Sequence, residues 1–67
     1  MSKLKESLFR NALYNLNAYN GYFQAYGQEN GLTLMYLNRY SALVTVIDES
    51  GLSSEWEQYK TDPKMSH

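Results

Sequence analysis

The chain contains no cysteine, one proline and one histidine among its 67 residues. The lack of cysteine removes disulfides and thiolate metal sites, and it fits the reducing cytoplasm expected as this chain's location. The single histidine, His67, sits in a polar stretch without periodicity. That setting suits neither a general base nor a metal ligand, so no metal and no cofactor is expected. The longest largely apolar run, Ala42 to Ile47, falls far short of the roughly 20 residues that cross a bilayer. Residues 1–10 carry Lys3, Lys5 and Arg10 without a continuous apolar core, which predicts no signal peptide and no membrane partner.

Charge of one sign is also missing. Six basic residues stand against seven acidic ones, for a net charge of −1. Such a balance provides no broad field for nucleic acid or anionic lipid. The carboxylates Asp48, Glu49, Glu55 and Glu57 are adjacent or two apart, so on a helix they diverge and form no acid–base pair. Glycines at 21, 27, 31 and 51 match neither a P-loop nor a dinucleotide fingerprint. The chain is therefore expected to be no enzyme.

What remains is a short sequence rich in tyrosine, with seven of them. At this length apolar burial and conformational entropy nearly cancel, and small chains usually need a disulfide, a metal or self-association to fold firmly. The composition leaves self-association.

The periodicity predicts an all-α chain: an antiparallel helical hairpin plus a short third helix, completed by dimerisation into a bundle. One domain spans 1–60 and a disordered tail follows over 61–67. The first helix runs from about Lys3 to Tyr26. Phe9, Ala12, Leu16, Tyr19, Phe23 and Tyr26 recur at alternating spacings of three and four, the repeat of a packed helical seam. Leu8 and Leu13 widen that stripe. Glu6 and Arg10 are spaced for an i,i+4 ion pair. Gly21 inside the helix signals a close helix crossing, a bend or simply a tolerated glycine.

The segment Gly27-Gln28-Glu29-Asn30-Gly31 predicts the hairpin turn, with Thr33 as N-cap of the second helix and Gly51 closing it. In that second helix the polar residues Asn38, Ser41, Thr45 and Asp48 fall on one stripe, and nearly everything else is apolar or aromatic. The β-branched run Val44 to Ile47 also suits a strand. A strand there would be apolar on both faces and would need a covered sheet that this chain is too short to build. The third helix is predicted from Ser54, with Glu57 three residues on as a capping box. Its Trp56 and Tyr59 would close the open end of the core.

A helix apolar over most of its circumference must be covered on more than one side. The expected homodimer seam lies on the second helix, through Met35, Leu43, Val46 and Ile47. On the first helix Tyr14, Ala18, Tyr22 and Ala25 fall away from the core stripe, flanked by Asn11 and Asn15. This mixture of aromatic rings and amides differs from a Lys/Glu solvated face and matches recognition surfaces. The expected function is thus a small non-enzymatic protein–protein interaction module, a regulator or inhibitor of a larger protein. Asn11, Tyr14, Asn15 and Tyr22 would contact the partner. The alternative is a dimeric nucleic-acid-binding regulator that doubles the basic cluster of Lys3, Lys5 and Arg10 and stacks bases on tyrosine.

Overall fold

A computed structural model describes residues 3–61, which form three helices: α1 (Lys3–Tyr26), α2 (Gly31–Glu49) and α3 (Ser53–Thr61). Residues 62–67, on which most of the predicted tail falls, lie outside the described residues, and Thr61 itself still belongs to α3. Helices α1 and α2 pack along each other as a hairpin, and α3 folds back across one end of it. The β-branched run Val44 to Ile47 is helical throughout.

The turns explain the path of the chain. Gly27 takes φ 90° and its N–H donates to Phe23 O at 2.9 Å, which ends α1. Asn30, not Thr33, caps α2. Its carboxamide oxygen accepts the Leu32 N–H at 2.9 Å while its own backbone stays extended. Thr33 then falls on the inward face and is fully buried. At the other end Gly51 sits at φ 72°, its N–H donating to Asp48 O, and the Leu52 N–H reaches Ile47 O, both at 3.0 Å. This pair of bonds is the Schellman motif, which requires a left-handed residue at Gly51 and brings Leu52 onto the core. Helix α3 starts one residue before the expected cap. The Leu52 carbonyl accepts its first helical bond from the Trp56 N–H at 2.8 Å, so Ser54 lies inside the helix and Glu57 pairs with Lys60.

Phe9, Ala12, Ile47, Trp56 and Tyr59 form the core, with Leu8, Leu13, Tyr40, Leu43 and Leu52 packed around it. Trp56 reaches across the hairpin to Phe9 (ring centroids 5.7 Å) and Tyr40 (6.4 Å), while Tyr59 contacts Phe9 at 5.3 Å. The lid role expected of the tryptophan is thus met. Lys5 joins Glu55 at 2.8 Å and ties α3 to α1.

The buried face of α1 is turned relative to the expected stripe. Phe9 and Ala12 are inside as predicted, but Phe23 and Tyr26 are exposed, whereas Asn15 is buried. The reason is that α3 covers only the end of the hairpin near Phe9. Farther along, α1 has only α2 to pack against, and the line Ala12, Asn15, Tyr19, Tyr22 faces it. Gly21 is exposed, and a Cβ built there meets nothing within 4 Å, so it marks no close crossing.

Candidate functional site

Of the aromatic residues of α1 and α2 that α3 does not reach, Tyr14, Tyr22, Tyr26 and Tyr36 form one connected group, while Tyr19 and Phe23 pair with each other at 5.8 Å. Tyr22 and Tyr36 stack across the hairpin with centroids 5.4 Å apart and planes 9° from parallel. Tyr26 stacks on Tyr22 at 5.8 Å, and Tyr14 meets Tyr36 edge-on at 6.4 Å. The Arg39 guanidinium carbon lies 5.7 Å from the Tyr36 ring centroid, within cation–π range. The hairpin places these residues for a simple reason. Tyr22 and Tyr36 are each seven residues from Glu29 in the turn, and positions equidistant from an antiparallel turn face each other. Tyr14 and Arg39 then follow one or two turns along the same sides of their helices.

The two ends of the group are open to solvent, Tyr14 at 62% and Tyr26 at 63%, while Tyr22 and Tyr36 are half-buried between them. Tyr36 is held above the ordinary tyrosine value of 10.0. The nearby Tyr14 phenol is the main cause, followed by burial, a hydrogen bond with Tyr14 and the charge of an ionised Tyr22, with Arg39 opposing. Tyr36 is therefore neutral at physiological pH. The group offers flat apolar faces, phenolic hydroxyls and one guanidinium, and no nucleophile or acid–base pair.

The residues expected to contact a partner are distributed unevenly. Tyr14 and Tyr22 belong to the aromatic group. Asn11 is exposed, and its Nδ2 donates to Ser7 O at 2.9 Å. Asn15 is buried against the hairpin, its Nδ2 donating to Asn11 O at 2.8 Å and its Oδ1 left without a hydrogen-bond partner. It therefore presents almost nothing to another molecule. Tyr26, Tyr36 and Arg39 were not expected in the site. The equal distance of Tyr22 and Tyr36 from the turn is the sequence signal that points to them.

Of the residues expected in a dimer seam, Val46 is exposed, and Met35 and Leu43 are half-buried. Ile47 is fully buried in the chain's own core and is withdrawn from the seam. Leu4, Lys5, Leu8, Val46, Ser50 and Leu52 line a largely apolar groove of about 550 Å³ between the start of α1 and the end of α2.

Three pairs of opposite charges meet among the described residues. Arg10 pairs with Glu6 at 2.7 Å, as its spacing predicts, and Lys60 pairs with Glu57 at 3.1 Å. Asp48 accepts the Ser53 hydroxyl at 2.9 Å. Among the described residues no group of three His, Cys, Asp or Glu side chains is placed to hold a metal ion. No helix among them is long and apolar enough to cross a membrane. Comparison of the chain with protein-family models, with curated proteins and with solved structures finds no match in any of the three.

Proposed function

We propose that this chain is a small non-enzymatic interaction module of the cytoplasm, a regulator or inhibitor that docks on a larger protein through the tyrosine face of the hairpin. The observation that carries the reading is the half-exposed aromatic group joining Tyr14, Tyr22, Tyr26 and Tyr36 beside Arg39. Tyrosine and arginine are enriched among binding hot spots: tyrosine offers large contact area and a polar tip with little rotamer freedom to lose, and arginine a planar fork of donors. Stacking already orders these rings, so association orders less, and the cost of docking falls accordingly. Partner binding would work by occlusion, the rings acting as anchors and Asn11 as a rim hydrogen-bonding group. The same reading has the module act as a homodimer, with Met35, Leu43 and Val46 in the seam.

Replacing both Tyr14 and Arg39 with alanine should abolish capture of the partner from the native host, measured by affinity purification and mass spectrometry. Helical circular dichroism should stay unchanged, since both side chains are exposed. Capture that survives the double substitution overturns the reading. The nucleic-acid alternative has less behind it: Lys5 and Arg10, two of the three cations it needs, each lie against a carboxylate, Glu55 and Glu6. It requires affinity that falls steeply with salt and that is lost when Lys3, Lys5 and Arg10 are neutralised.

A further inference from the structure

The side of the hairpin away from the body of α3 is uncovered among the described residues, and it carries a regular pattern on both helices. On α1 it follows positions 4, 8, 11, 15, 18 and 22, where Asn15 is buried beneath the face rather than presented on it, and on α2 positions 32, 36, 39, 43, 46 and 50. Both lines step by four, three, four, three and four. Two contacts show that the lines lie on one side. The groove near the start of α1 joins Leu4 and Leu8 to Val46 and Ser50, bordered on the α3 side by Leu52 and by Lys5 in its ion pair with Glu55, and farther along Tyr22 stacks on Tyr36. Helix α3 lies on the other side, where Trp56 meets Phe9 and Tyr40.

We infer that a second copy of this chain covers this face, forming a four-helix bundle whose seam runs from Leu4 and Val46 to the tyrosine group. The inference rests on the dimer proposed above and enlarges its seam from α2 alone to both helices. Three features favour a copy over an unlike partner. First, alternating steps of three and four are the seam pattern of helices packed nearly parallel or antiparallel in a bundle, and both helices present it in the same phase.

Second, the area suffices. Leu4 is 85% exposed, Val46 48% and Leu32 44%, in addition to Tyr14 and Tyr26. Taking roughly 150–250 Å² for each fully exposed side chain, these five present about 450–750 Å², and a stable interface takes about 800 Å² per partner. Half-buried Leu8, Tyr22, Met35, Tyr36 and Leu43 supply the remainder.

Third, charge does not select an unlike partner. The two lines carry one charged residue, Arg39, and its guanidinium already lies over Tyr36. A copy can meet this face without supplying a carboxylate.

Sedimentation equilibrium of the full chain, from micromolar to millimolar concentration, tests the inference. The wild type should run as a dimer. Leu4→Asp, at one end of the face, and Tyr14→Ala, near the middle of α1, should each raise the dimer dissociation constant at least tenfold. Phe23→Ala, on the other side of the hairpin, should leave it within twofold. Both test residues are exposed in the single chain, so Trp56 emission and helical circular dichroism should match the wild type. A variant that loses either signal is replaced by Leu4→Ser or Tyr14→Ser. A wild type that remains a monomer at millimolar concentration overturns both the seam and the dimer. A dimer indifferent to Leu4 and Tyr14 overturns only the seam. Because the seam takes in the tyrosine group, a second copy and the larger partner compete for it; Leu4→Asp, outside that group, should weaken the dimer and leave partner capture intact, which keeps the two readings separable.

Discussion

At the scale of single residues, two polar side chains inside the hairpin are the most consequential departures from the expected pattern. Thr33 is fully buried, and its hydroxyl has no hydrogen-bond partner; the Asn15 carboxamide oxygen shares that condition. A buried polar atom left unpaired costs about 1–3 kcal/mol. Thr33→Val keeps the shape and removes the hydroxyl, so it should stabilise the fold by about 1 kcal/mol in urea denaturation. Both positions depart from the expected pattern for the same reason. Asn and Thr register as surface or cap residues when only their chemistry is considered. Yet Asn15 satisfies its own amide on the Asn11 carbonyl, and Asn30 had already taken the cap. The spacing from Ala12 through Asn15 and Tyr19 to Tyr22 is as regular as that from Phe9 through Leu16 to Tyr26. The sequence could not show which stripe α3 would leave uncovered. Tyr36 makes a second prediction. Its folded value lies above its unfolded one, so the neutral form is favoured by folding. That contribution is complete below about pH 10, the unfolded tyrosine value, and is lost as pH rises through the higher folded value. Thermal melts between pH 9 and pH 12 should show a loss of stability that Tyr36→Phe reduces.

At the scale of elements, helix existence was readable and helix phase was not. The ends of α1 and α2 follow from Gly27 and Gly51, whose left-handed backbones break helical propagation. The existence of α3 followed from the Ser54–Glu57 spacing and from Trp56 and Tyr59 three apart, though its start at Ser53 depends on the Leu52 carbonyl, which no side-chain pattern reveals. The two kinds of glycine here should respond oppositely to the same change. Gly51→Ala forces a Cβ into a left-handed conformation and should destabilise by about 1–2 kcal/mol. No atom lies within 4 Å of the added carbon, so the loss belongs to the backbone alone. Gly21→Ala, in an exposed and regular stretch of α1, should stabilise by about 0.5–1 kcal/mol. Chemical denaturation of the two variants checks both signs.

At the scale of the whole molecule, the hairpin architecture was legible because the turn, the polar stripe of α2 and the closing aromatic residues all agreed with one arrangement. Asn38, Ser41, Thr45 and Asp48 are all exposed, as their common stripe required. The tyrosine group was only half legible, since it is made across two helices and only its α1 members were foreseen. If the proposed pair of chains forms, folding and association are one equilibrium, and each tenfold rise in concentration should add about 1.4 kcal/mol per mole of dimer. The melting temperature would then climb with protein concentration, and a melting temperature independent of concentration would count against the pair. The position of α3 has a further consequence. It braces the hairpin only where Phe9, Tyr40 and Trp56 meet, and leaves the opposite extremity held by two strips of helix. The molecule is thus graded like a clothes-peg, sprung at one end and free at the other. Amide deuteration should begin around residues 27–30, advance along both arms together, and arrive last at the braced end.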